Sequence, residues 1–168
     1  MGYTEDQGSI ARWADETFGA PSSLFRVATR AAEEMAECLR ELSFDPFGRA
    51  AAMEAADTAI ILYRMAALAL VNLDQQAAEA DMEPLFGVPP ARYAAKAARD
   101  LGDVLVCCTL EQTAIEKPLG RAYRNLMLAC AAMEADIRQE IDIKMVINRR
   151  RRWVAAYDGT GRHRRVTA

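Results

Sequence analysis

Histidine is almost missing from this chain, with one residue, His163, in 168. Zinc and non-haem iron sites are built around His or Cys, so this scarcity argues against both. The same lack tells against a di-iron carboxylate bundle, which uses Glu-x-x-His pairs. The four cysteines (Cys38, Cys107, Cys108, Cys130) have no paired CxxC spacing and fall in segments that read as helix. They are expected to be buried, reduced thiols in a cytoplasmic protein. Aromatic residues are only 7% of the chain, which leaves few platforms for stacking a base. Long apolar runs are also lacking: the most apolar stretch, Ala59–Leu73, is interrupted by Arg64. It falls short of the roughly 20 residues a bilayer-spanning helix needs, so no membrane role is expected. The opening Met-Gly-Tyr-Thr-Glu-Asp has no signal-peptide character, and there is neither an internal repeat nor a low-complexity segment.

Good helix formers are plentiful. Alanine, leucine, methionine, glutamate and arginine dominate, β-branched residues are sparse, and 168 residues suit one domain with a proper core. An all-α, antiparallel bundle of about five helices in a single domain over 1–168 is expected. Thr4 and Gln7 suggest a capping box for a first helix to about Thr17. Gly19, Pro21 and the serines at 22 and 23 end it and cap a second, from about Leu24 to Leu42. Leu24, Val27, Ala31, Met35, Cys38 and Leu42 form one stripe on that helix. After Asp45-Pro46 and Gly48, a third helix runs from Arg49 to Val71. It is apolar nearly all round, which places it at the centre. Glu83–Pro90 is the clearest loop. Ala91–Ile115 reads as a fourth helix, and a fifth from Pro118 continues towards Arg152 with a break near Asp142. Residues 158–168 read as a mobile basic tail.

Charge is distributed unevenly along the chain. From Lys144 onward there are eight basic residues against one acid, while the first 143 residues carry 13 basic and 23 acidic. The first part therefore has a net charge of −10 and the remainder +7. A polyanionic ligand that meets both a cation held by acids and direct cationic contacts fits this pattern. Nucleic acid would fit the basic part as well.

The acids are ordered into two motifs. The second helix carries Glu33-Glu34-Met-Ala-Glu37 and the third Glu54-Ala-Ala-Asp57. Glu34 and Glu37 are i, i+3 neighbours, as are Glu54 and Asp57, so each pair shares a helix face. An antiparallel return of the chain would make the two faces converge. Glu54 and Asp57 lead into Ile61, Met65 and Leu68, and acids on a buried stripe need cationic compensation. An all-oxygen set of carboxylates suits Mg²⁺ or Mn²⁺. The plainer alternative is a solvated acidic face, and it fits Glu33 and Glu41.

Lys144, Asn148 and Arg152 (or Arg151) recur at helical spacing, presenting a point charge, an amide and a guanidinium fork suited to a polyphosphate. The alternative is a basic helix end favoured by the macrodipole, which suits Arg149 and Arg150. Four consecutive arginines point all round a helix rather than making the single stripe that nucleic-acid binding would use. Trp13, Phe18, Phe25, Tyr63 and Tyr123 are the aromatic candidates for base stacking, although each reads more readily as a core residue.

These segments resemble the MazG-like all-α nucleoside triphosphate pyrophosphohydrolases, in which EExxE is followed by ExxD. The resemblance covers Glu33–Glu37 and Glu54–Asp57. It extends to Trp13–Gly19, to Lys144–Trp153 and to the Asp158-Gly-Thr-Gly-Arg-His163 stretch, which are similar to small MazG-like proteins of phages and bacteria. The resemblance implies that Glu34, Glu37, Glu54 and Asp57 bind two or more Mg²⁺ or Mn²⁺ ions. Glu33 and Glu37 would serve catalysis by orienting or activating water. Lys144, Asn148 and Arg152 would hold the triphosphate. It further implies hydrolysis of an NTP or dNTP to monophosphate and pyrophosphate by a homodimer or homotetramer. Purine deoxynucleotides (dGTP or dATP) are favoured, with dUTP, dCTP or damaged nucleotides as alternatives. About 70 residues, 73–143, separate the ExxD helix from the KM-x-x-NR segment, more than in short relatives, so base recognition does not carry over. A non-catalytic helical scaffold or nucleic-acid binder is the competing class.

Overall fold

The computed structural model describes residues 2–78, 83–110, 114–156 and 159–163. Among these the chain forms helices α1 (Gln7–Phe18), α2 (Leu24–Phe44), α3 (Arg49–Leu68), α4 (Leu73–Ala78), α5 (Pro90–Thr109), α6 (Glu116–Ala132) and α7 (Ile137–Arg150). A two-stranded antiparallel hairpin follows, β1 (Trp153–Ala155) and β2 (Gly161–His163), in which Val154 faces Arg162. The chain is all-α as its composition implied, with seven helices among the described residues rather than five.

Helix starts follow short polar side chains that satisfy free N–H groups. α1 begins with a capping box, but it pairs Asp6 with Ser9 rather than Thr4 with Gln7. Thr4 and Glu5 instead donate their backbone N–H groups to the two carboxylate oxygens of Asp142, each at 2.9 Å. Gln7 uses its amide to grip the chain after α3, donating to the Val71 carbonyl and accepting from the Leu73 N–H. Ser23 caps α2.

Two helix ends were invisible as signals because neither uses glycine. α3 stops at Leu68, short of the expected Val71, in a turn with Leu70 at φ 58°. Val71 N–H reaches the Ala66 carbonyl and Leu70 N–H the Ala67 carbonyl. This is the Schellman arrangement, with leucine in the left-handed position that glycine usually takes. The same turn ends α6, with Glu134 at φ 58° and Ala135 N–H on the Cys130 carbonyl. It divides the expected fifth helix into α6 and α7 at 133–136, whereas Asp142 lies inside α7. α5 ends at Thr109, before the expected Ile115.

α3 packs against α1, α2, α6 and α7, the central position its apolar surface demanded. Ala51, Ala52, Ala55, Ala56, Ala59 and Ala66 are all buried, and such small side chains let neighbouring helices approach closely. Val27, Ala31, Met35, Cys38 and Leu42 form the buried stripe of α2 as expected. α5 and α6 pack on each other, and they cover α2 and α3 respectively. Cys38 and Cys130 are buried, Cys107 and Cys108 half-buried, and all four are free thiols. Of the expected mobile tail, residues 159–163 belong to an ordered hairpin, while Asp158 and 164–168 lie outside the described residues.

Candidate metal centre and cavity

α2 and α3 bring their acids together. One carboxylate oxygen from each of Glu34, Glu54 and Asp57 lies within 4.8 Å of the others. Glu34 is buried because it sits on the same face as Val27, Ala31 and Cys38. Asp57 opens onto the side of α3 that continues into Ile60 and Ile61. Glu37 is half-buried and borders the same cavity, outside the three-oxygen group. Glu33 is exposed and ion-paired to Arg30 at 2.7 Å.

The electrostatics are those of acids held without enough solvent. Burial raises the Glu34 carboxyl to about 7, Arg30 opposes the rise, and Asp57, Glu37 and Glu54 add to it. Burial likewise lifts Glu54, opposed by Lys144 and reinforced by Asp57 and Glu37. Asp57 is raised by burial too, against the pull of Lys144 in charge and hydrogen bond, with Arg151 and Asn148 assisting. Lys144 Nζ lies 2.6 Å from Asp57 and 4.0 Å from Glu54. Arg30 also holds Glu34. Sequence reasoning missed Arg30, although its position four residues before Glu34 was a signal.

Lys144 and Asn148 are buried and border the acids from α7. Arg151, and not Arg152, completes this side of the cavity. α7 ends at Arg150 and Arg151 is extended (φ −71°, ψ 148°), so the helical spacing that pointed to Arg152 no longer applies. Arg151 also donates to Asn148 Oδ1 at 3.2 Å. Arg149 is committed elsewhere, gripping Glu5 through Nε and Nη2.

The cavity has a volume of about 820 Å³, and part of its wall is aromatic. Trp13, Phe18 and Trp153 pack edge to face, with centroids 5.2–5.9 Å apart. Tyr63 and Tyr123 belong to the core, and Phe25 is exposed away from this wall. Arg64 borders the cavity from α3, with burial pulling its pKa below the usual guanidinium range. Among the described residues of 73–143 none lines the cavity, and α5 and α6 of that extension pack on α2 and α3.

The donor set is hard oxygen only and close-set, with Glu34 buried, Glu54 and Asp57 half-buried, and all three carboxyls raised by desolvation. These properties fit Mg²⁺ or Mn²⁺. No protein-family model matches this chain, and neither a curated protein nor a solved structure is significantly similar to it.

Proposed function

We propose that this protein is a divalent-metal-dependent pyrophosphohydrolase that converts a (d)NTP and water to the (d)NMP and pyrophosphate. Glu34, Glu54 and Asp57, joined by Glu37, would hold two or more Mg²⁺ or Mn²⁺ ions. The observation that carries the reading is the convergence of Glu34, Glu54 and Asp57 within 4.8 Å at a cavity that Lys144, Asn148 and Arg151 also border.

A triphosphate approaches a cluster of carboxylates only through cations. When bound, the ions supply Lewis acidity and neutralise charge on the phosphates. The chain's own groups do the rest. Lys144, relieved of its carboxylate partners, turns its charge to a phosphate oxygen, Asn148 donates its amide, and Arg151 grips the outer oxygens. Glu37 accepts a proton from the attacking water, and Glu33, engaged with Arg30, orients rather than binds. A preference for purine deoxynucleotides rests on the MazG-like motif pattern, as does an antiparallel bundle assembled into a homodimer or homotetramer. Exposed Phe44, Phe47, Val106 and Leu110 supply apolar surface for such assembly.

The test is incubation with Mg²⁺ or Mn²⁺ and a panel of NTPs and dNTPs, resolving mono- and diphosphate products. Monophosphate plus pyrophosphate is expected, and Glu37→Ala and Asp57→Ala should abolish it. No turnover by a folded protein would sink the reading and favour the scaffold alternative.

A further inference from the structure

Arg64 lies seven residues beyond Asp57 on α3, about 10 Å along the helix. It is only 7% exposed. Its Nη1 donates to the Gly159 carbonyl at 2.8 Å and its Nη2 to the Gly19 carbonyl at 2.6 Å. One side chain therefore joins three segments: the helix that carries Glu54 and Asp57, the α1–α2 connection, and the C-terminal hairpin. Among the described residues its acidic partner is the more exposed Asp15, at 3.4 Å, and its Nε is buried without an acceptor. Desolvating a cation this way is costly and is poorly explained by stability alone.

The result of the tie is an aromatic wall. The hairpin brings Trp153, Thr160 and Gly161 to the cavity, where Trp153 meets Trp13 and Phe18. The approach is as close as glycine allows. A Cβ on Gly161 would lie 2.3 Å from the Phe18 ring, and one on Gly159 (φ 75°) would lie 2.3 Å from Pro21 Cα. The Arg64 guanidinium itself lies 5.8 Å from the Phe18 ring centre.

We propose that this aromatic end is a nucleobase subsite and that Arg64 is its positioning residue. The inference rests on the reading of the acidic end as a triphosphate site. A nucleotide laid along α3 with its phosphates at Asp57 reaches the wall with its base, because two helical turns match the span of a nucleotide. Trp13 is itself buried and backs the wall, so the half-buried Phe18 and Trp153 are the rings offered to a flat heteroaromatic base, whereas inorganic polyphosphate and sugar phosphates have nothing to stack on them. Arg64 acts through the hairpin and the α1–α2 connection that it holds in place.

The experiment compares the full-length protein with Arg64→Met and Gly161→Ala. Gly161→Ala disturbs the wall from the terminal hairpin, so it decides the question if Arg64→Met does not fold. Three quantities are read: tryptophan fluorescence on titration with deoxynucleoside monophosphates in Mg²⁺, Mn²⁺ binding without nucleotide by electron paramagnetic resonance, and hydrolysis of dNTPs against inorganic tripolyphosphate. Nucleotide should quench Trp13 and Trp153. Both variants should weaken monophosphate binding about tenfold or more, the loss of a stacking contact, with Mn²⁺ binding and tripolyphosphate cleavage unchanged. Nucleotide binding that leaves fluorescence untouched, or that is equal in the wild type and a folded variant, overturns the inference. If no triphosphate is hydrolysed but Arg64-dependent quenching persists, the base subsite stands and the assigned reaction falls.

Discussion

Lys144 Nζ on α7 lies 2.6 Å from Asp57 Oδ2 on α3, and both side chains are largely shielded from water. A lysine on another helix, 87 positions away along the chain, thus serves as the acids' internal counter-ion. The same ammonium is 4.0 Å from Glu54, so it stands beside the carboxylates that would receive a metal ion.

Removing that counter-ion should make stability depend on metal. Lys144→Met leaves the largely shielded Asp57 without its ammonium partner, with only Asn148 and the more distant Arg151 to oppose its charge, at a cost of about 3 kcal/mol. Thermal melts in EDTA should show this loss, and saturating Mg²⁺ should restore most of it, because a bound ion supplies the missing charge. Turnover should stay at least about a hundredfold down, since a lost charge-assisted contact to phosphate is not replaced. An equal loss of melting temperature with and without Mg²⁺ would assign Lys144 a purely structural part.

The raised carboxyls predict a pH profile. Glu34 titrates near 4.5 in the unfolded chain and at about 7 in the folded one. Between those values the folded state binds more protons, so metal-free stability should be highest at the acidic end and fall as pH rises, levelling off above about 7. The loss should be on the order of 5 °C in Tm. Metal binds the ionised acids, so Mg²⁺ should stabilise strongly above pH 7 and little near 5, with proton release on binding. Melting curves across pH with EDTA and with Mg²⁺ check this, and a metal effect that is flat with pH contradicts it.

The end of α7 separates two neighbouring arginines. Arg151 borders the cavity and Arg152 does not. Arg151→Ala should raise KM for the nucleotide about tenfold, the worth of a charge-assisted hydrogen bond. Arg152→Ala should leave it within about twofold, as for an exposed charge. Steady-state kinetics on the two variants distinguish them, and the reverse order would show that the cavity had been misread.

A core network supplies a control. The Tyr63 hydroxyl bonds Asp74 Oδ1 at 2.6 Å and the Tyr123 hydroxyl, while Arg138 holds Asp74 at 2.6 Å. Tyr63→Phe should cost about 1–2 kcal/mol in urea unfolding. KM and kcat should not change, because the network lies outside the cavity. A large change in kcat would link the network to the site.

Much of the architecture was legible because it is local. The buried stripe of α2 and the apolar surface of α3 follow from side-chain periodicity, which a helix converts directly into faces. EExxE and ExxD placed the acids on shared faces for the same reason. Helix ends were less legible, since Leu70 and Glu134 adopt a left-handed conformation with no glycine to mark it.

Composition and spacing by themselves determined an all-α chain, a central third helix and two acidic faces with no histidine on either helix. Only the tertiary structure decided that Lys144 neutralises those acids, that Arg151 replaces Arg152, and that Arg64 draws the hairpin and its tryptophan onto Trp13 and Phe18. The division has a physical cause: helical periodicity acts over one or two turns, whereas an ion pair or an aromatic wall depends on where distant segments are packed.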